Sequence, residues 1–265
     1  MFLTCCTFTV LIENDCHLLR ILAAKIKRKN NFFASCSYLD FFMVQTHMTN
    51  LNHYTQNPKS GGKPKQIIAL LHGYGSNGRD LISLAPYWAD AAPDALFISP
   101  DAPFPCEMGV GHQWFSLAER TPEKYLAGVN QARPLLDAYL DEALDMHGLT
   151  DKGLILVGFS QGTMMSLYAG PRRKGKIAGI LGYSGALIGA EELNGGSINK
   201  PPIRLIHGES DDVVILDKYH HAVKHLTDNG FDVSGHTTPN LTHSIDGAGI
   251  ESGAKFVSKI VNKIK

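Results

Sequence analysis

The chain lacks an excess of either charge: 25 lysines and arginines stand against 25 aspartates and glutamates, for a net formal charge of zero. Binding to nucleic acid or to an anionic membrane needs a basic surface, and this composition offers none, so neither is expected as a partner. No apolar run approaches the roughly 20 residues that a spanning helix requires, so no transmembrane segment is expected. Cysteine is scarce as well. Of five, Cys5, Cys6, Cys16 and Cys36 precede the region that carries the other signals, and only Cys106 lies within it. One cysteine cannot close an internal disulfide, which points to a reducing, cytoplasmic setting. Internal repeats and low-complexity tracts are missing too.

Residues 1–47 read differently from the rest. Residues 1–12 are apolar, but no basic residue comes before them and no small-residue cleavage site follows, so a secretory signal is not expected. Lys25-Ile26-Lys27-Arg28-Lys29 is basic, yet Glu13, Asp15 and Asp40 break a transit-peptide pattern. We read 1–47 as an extension, poorly ordered or the product of a mis-set translation start, with Met48 as the natural initiator. The competing reading is a helix that binds a membrane surface or a partner. Residues 48–265 are then one catalytic domain.

The chain of 265 residues is 44% hydrophobic, enough for a single domain with a substantial core. Strand-like runs alternate with helical ones: Gln66-Ile67-Ile68-Ala69-Leu70-Leu71, Ala95-Leu96-Phe97-Ile98-Ser99, Leu154-Ile155-Leu156-Val157, and Ile177 through Tyr183. Such alternation predicts an α/β fold with a mostly parallel sheet and helices on both faces. The longest helix is expected over 123–147, divided or kinked at Pro134. The last is expected over 249–264, with Phe256, Val257, Ile260, Val261 and Ile264 on its apolar face.

Chemistry enters at Gly158-Phe159-Ser160-Gln161-Gly162, which lies between a strand and a helical run. A Gly-x-Ser-x-Gly turn in that setting is a nucleophile elbow: the serine projects from a tight turn, and the glycines let strand and helix backbones pass closely. Serine is a poor nucleophile until an imidazole takes its proton, and the imidazole needs a carboxylate to fix its tautomer. Asp211 follows the run Ile203-Arg204-Leu205-Ile206-His207-Gly208, and His243 lies in the loop before the last helix. The order serine, acid, histidine matches α/β-hydrolases and neither protease order. Asp212 is adjacent, and spacing alone does not separate it from Asp211.

After the first strand comes His72-Gly73-Tyr74-Gly75. A loop of this type lends one backbone N–H to an oxyanion hole and the residue after the serine lends the other, which here means the amides of Tyr74 and Gln161. The same loop also spells G-x-G-x-x-G from Gly73 to Gly78, with Asp101 after the next strand. A dinucleotide site would fit that pattern. However, Pro100 and Pro103 enclose Asp101 in a rigid turn, and the reading leaves Ser160, Asp211 and His243 without a role.

Together, His72-Gly73-Tyr74-Gly75, Gly158 to Gly162, His207-Gly208-Glu209-Ser210-Asp211 and Thr242-His243-Ser244 resemble the phospholipase/carboxylesterase family. That family includes bacterial carboxylesterases, acyl-protein thioesterases and lysophospholipases. The resemblance runs from about Lys65 to the C-terminus. It implies an α/β-hydrolase fold without a large cap, with no metal or organic cofactor. It also implies Ser160 as nucleophile, Asp211 as acid and His243 as base. Two positions depart from it: Thr163 stands where a second glycine is frequent, and Asp212 where proline is common.

The stretch from Ser160 to Asp211 has room for a helix, two strands and connections, which excludes a large cap. The loop over 101–120 is the main candidate for a pocket wall. In it Trp114, Phe115 and Met108 either contact an acyl chain or pack the loop down. His221 and His225, spaced by four on a helix, would reach one metal ion, but no third ligand is suggested and an exposed face is the simpler reading. The expected activity is hydrolysis of small-molecule or lipid carboxylic esters through an acyl-enzyme. The alternative is an acyl-protein or lysophospholipid (thio)esterase. From another class comes a non-catalytic ligand-binding protein on a hydrolase scaffold. A homodimer is left open.

Overall fold

A computed structural model describes residues 51–195 and 198–264. The expectations for residues 1–47 lie outside the described residues. In chain order the elements are β1 (His53–Gln56), β2 (Gln66–Leu71), α1 (Gly78–Ile82), α2 (Ala85–Trp88), β3 (Ala95–Pro100), β4 (Phe104–Pro105), β5 (His112–Gln113), α3 (Pro122–His147), β6 (Leu154–Phe159), α4 (Gln161–Ala169), β7 (Gly179–Tyr183), β8 (Ile203–Gly208), α5 (Leu216–Asp228), β9 (Val233–Thr238) and α6 (Gly247–Ile264).

Seven strands form one sheet in the order β1-β3-β2-β6-β7-β8-β9. Only β1 runs antiparallel, against β3; the other pairings are parallel. The continuous apolar runs reflect burial on both faces. In β2, Ile67, Ala69 and Leu71 enter one core while Ile68 and Leu70 enter the other. β6 does the same, with Leu154 and Leu156 on the first side and Ile155 and Val157 on the second. Period-two side chains covered on both sides have no polar face to alternate with.

On the first face lie α3, α4 and α5, through residues such as Leu136, Leu140, Met165, Leu167 and Leu226. α1, α2 and α6 cover the second, through Leu81, Trp88, Phe256, Val257 and Ile260. Trp88 stacks on Tyr183 with ring centroids 6.4 Å apart and donates its indole N–H to the Ile250 carbonyl. This tethers α2 to both the sheet and α6.

Of the two outcomes expected at Pro134, division does not occur: α3 is a single element of 26 residues with Pro134 inside it. The Thr121 side chain caps its start by accepting the Lys124 N–H, Pro122 occupies the first turn, and Gly148 ends it at φ 66°. Proline inside a helix costs about 3 kcal/mol or more. Here Val129, Ala132, Leu136, Tyr139, Leu140 and Leu144 are buried along the same helix, each at roughly 1.5–3 kcal/mol for a large side chain, which outweighs that cost. Pro134 itself and Asn130, whose carbonyl it orphans, are both exposed residues.

The segment over 101–120 is not a plain loop. β4 and β5 pair as a short antiparallel hairpin, Phe104 opposite Gln113 and Pro105 opposite His112. Two-residue strands carry too little periodicity to stand out in a sequence.

Candidate active site

Ser160 sits at the C-terminal end of β6 with φ 54° and ψ −116°, a backbone conformation rare for a residue with a side chain. Its strain is held by contacts on both sides. The Ser160 N–H donates to the Tyr183 carbonyl, and its own carbonyl accepts from the amides of Thr163 and Met164. The flanking glycines are obligatory: a Cβ on Gly158 would lie 2.4 Å from the Gly162 carbonyl carbon, and one on Gly162 would lie 1.8 Å from the Leu71 oxygen. β6, α4 and β2 therefore meet at the elbow with no room for a methyl group.

Asp211 follows β8 and is buried. One oxygen, Oδ1, accepts the amides of Val213 and Val214; the other, Oδ2, accepts from His243 Nδ1 at 2.8 Å. Asp212 is exposed. Burial pushes the Asp211 carboxyl up, but the His243 hydrogen bond, the two amides and the imidazole charge together hold it below its ordinary value of 3.8. The His243 ring packs against Phe159, centroids 4.9 Å apart, which places the imidazole beside the residue that precedes Ser160. Under Asp211 lies His207, whose Nε2–H donates to the Val214 carbonyl at 2.7 Å and stands 3.4 Å from Asp211 Oδ2. Burial lowers the His207 pKa, so the ring is held neutral.

The loop after β2 closes the other side. A Cβ on Gly73 would lie 3.3 Å from the Ser160 Cβ, so this loop runs directly against the elbow. His72 is fully buried. Its Nε2 accepts the Ala102 N–H at 2.9 Å and its Nδ1–H donates to the Gly73 carbonyl at 2.7 Å, a pairing only one neutral tautomer satisfies. Burial accordingly lowers its pKa. The Tyr74 hydroxyl donates to Glu107 at 3.2 Å. Asp101 accepts the Gly78 N–H at the start of α1, and a Cβ on Gly78 would strike the Ser99 oxygen. In the glycine-rich stretch, Gly78 thus serves the close packing of α1 on β3, and Asp101 is engaged within that packing.

Trp114 and Phe115 are buried in the core, and Met108 is 73% exposed. Of the two readings weighed for the aromatics, packing the loop down is the one the geometry carries; neither ring presents surface to a substrate. His112 belongs to β5, where its backbone bonds Gly75 and Ser76. A cavity of about 520 Å³ is lined among others by Tyr125, Leu187, Ile188, Lys218, His221 and His225. Ser160, Asp211 and His243 do not line it. The His221 and His225 rings stand 4.2 Å apart, and among the described residues no set of three metal-ligating side chains converges.

Sequence reasoning missed several neighbours. The Gln161 side chain, not only its amide, is engaged: Oε1 accepts the Trp114 N–H and Nε2 donates to the Phe115 carbonyl, both at 2.8 Å. Thr163 Oγ1 donates to the Tyr183 carbonyl and accepts the Tyr183 N–H. Ser184, at φ 45°, is a second strained residue beside the elbow. For Thr163 the sequence signal was its departure from the family pattern.

A family model of the phospholipase/carboxylesterases matches residues 53–261. Among curated relatives, acyl-protein thioesterase 1 of Aspergillus fumigatus is 29% identical over 220 residues, covering 75% of this chain and 89% of the relative. Esterase YpfH of Escherichia coli is 29% identical over 189 residues, covering 71% and 80%. Among solved structures, that of esterase PE8 superposes with a TM-score of 0.75 at 38% identity, covering 79% of this chain and 99% of that one. The fold, a mostly parallel sheet with helices on both faces and no large cap, is that of an α/β-hydrolase, and the chain is an esterase belonging to the phospholipase/carboxylesterase family.

Proposed function

We propose that the protein hydrolyses carboxylic esters through a triad of Ser160, His243 and Asp211. His243 takes the Ser160 proton as Oγ attacks the ester carbonyl. The tetrahedral oxyanion is held by the amides of Tyr74 and Gln161, the latter at the N-terminus of α4, where the helix dipole favours negative charge. Collapse expels the alcohol, protonated by His243, and leaves an acyl-Ser160 ester. Water, deprotonated by the same imidazole, then releases the acid. The observation that carries this reading is the 2.8 Å bond from His243 Nδ1 to Asp211 Oδ2 beside a serine held at φ 54°. It sets the tautomer that leaves Nε2 free to act as base. The substrate expected is a small-molecule or lipid ester.

A second reading, hydrolysis of acyl thioesters by the same residues, draws support from relatives named acyl-protein thioesterases. Purified protein assayed on p-nitrophenyl esters and acyl thioesters of graded chain length separates the two. A fluorophosphonate should label Ser160, and Ser160→Ala should lower turnover by about 10⁶-fold with the fold intact. Unchanged turnover in that variant, with normal circular dichroism, would end the proposal.

A further inference from the structure

Both oxyanion donors are backbone amides, so their separation depends on what holds two loops together: the one after β2, bearing Tyr74, and the elbow after β6, bearing Gln161. Residues 112–115 form a strap across both. On one side, His112 accepts the Gly75 N–H at 2.9 Å and donates to the Ser76 carbonyl at 2.8 Å. The Trp114 indole adds a bond to the His72 carbonyl at 3.0 Å. On the other side stands the Gln161 carboxamide, which pairs edge to edge with the Trp114–Phe115 backbone through two 2.8 Å bonds. Gln161 is 1% exposed, and Trp114 and Phe115 are buried too.

We propose that the Gln161 side chain is a positioning residue of the oxyanion hole: by clamping the 112–115 strap to the elbow, it sets the spacing between the Tyr74 and Gln161 amides. This rests on the triad and oxyanion assignment above. A carboxamide suits the task because it offers one donor and one acceptor side by side, matching the Trp114 N–H and the Phe115 carbonyl, which the bend at these two residues turns toward Gln161. Glutamate keeps an acceptor and loses the donor. Methionine has nearly the same shape and neither. Without the carboxamide, two buried backbone groups lose their partners, and an unpaired buried polar group is costly, so the strap is driven to move until they are satisfied. An oxyanion donor displaced by about 1 Å costs on the order of 10² in rate.

The test is Gln161→Met and Gln161→Glu in the full chain, measured as kcat and KM on a p-nitrophenyl ester and as affinity for a trifluoromethyl ketone, which forms the tetrahedral adduct. Gln161→Met should lower kcat by about 10²-fold with KM changed less than about threefold, and should weaken the ketone by a similar factor. Gln161→Glu should fall between it and the unaltered protein. A purely structural role would not shift kcat and ketone affinity together at constant KM. A folded Gln161→Met that keeps kcat and ketone affinity within about threefold, or that loses activity through KM alone, overturns the proposal. If Gln161→Met does not fold, Gln161→Glu decides by the same criteria. Failure of a fluorophosphonate to label Ser160 in the unaltered protein overturns the triad reading instead, and is a separate result.

Discussion

Asp211 and His243 meet through one carboxylate oxygen, Oδ2, while Oδ1 is occupied by the amides of Val213 and Val214. This division fixes what an amide in place of the acid must do. In Asp211→Asn the two backbone donors capture the side-chain oxygen, so the NH₂ faces His243 Nδ1. The imidazole then carries its proton on Nε2, toward Ser160, and cannot act as base. Turnover should fall by up to about 10⁴-fold with geometry preserved. Asp212→Asn, at an exposed position, should change it less than about tenfold. Steady-state kinetics on both variants checks this, and the reverse ranking would move the acid to Asp212.

Acid should destabilise the protein through two buried histidines. The pKa values of His72 and His207 are both lowered by burial from 6.5. Below about 6.5 the unfolded chain binds protons the native state refuses, so stability falls with pH until the folded values are passed. Each histidine adds up to about 1.4 kcal/mol per pH unit within that window. Asp211, depressed from 3.8, adds its loss only at lower pH. Denaturant melts between pH 7.5 and 5 should therefore show falling stability, and His207→Gln should make the slope shallower. An equal slope in that variant would assign the effect to other groups.

Expression from Met48 should yield a folded chain that still hydrolyses esters. The family match begins at residue 53 and runs to 261. Loss of ester hydrolysis in a folded protein that starts at Met48 would bring residues 1–47 into the working structure.

The parts legible in the sequence were those with a repeating or tightly spaced physical requirement. Buried parallel strands read as unbroken apolar runs, and Gly158 and Gly162 flag a backbone crossing that leaves no space for Cβ. The roles of Trp114 and Phe115 were not legible, because an aromatic in a loop has the same composition whether it faces a pocket or a core. Nor was the Gln161 clamp, since its partners are backbone groups more than 40 residues away that any sequence supplies. Whether Pro134 would divide its helix was not legible either, because the cost of a helix proline is local while the burial that offsets it comes from other elements.

Thr163 offers the last prediction. Its side chain needs space that a glycine at this position would not. That space comes from Gly182 and Gly185: a Cβ on Gly185 would lie 2.3 Å from the Thr163 Cβ, and one on Gly182 would lie 2.6 Å from its Cγ2. In return, Thr163 Oγ1 pairs both backbone groups of Tyr183, the strand end whose carbonyl also receives the Ser160 N–H. Thr163→Val keeps the shape and strips the Tyr183 N–H of this partner, at a cost of about 1–3 kcal/mol. At roughly 2–4 °C per kcal/mol for a domain of this size, the fall in Tm should be plain in a calorimetric scan. Gly185→Ala should be worse, because backbone and a β-branched side chain must both give way. Combining Gly185→Ala with Thr163→Gly should recover part of that loss, since the second change removes the group the new methyl strikes. Denaturation of the two single variants and the double variant measures this coupling, expected at about 1–3 kcal/mol for residues in direct contact. Additive losses would show that the Gly185 restriction arises from the Ser160 carbonyl, 3.1 Å from the same Cβ, and not from Thr163.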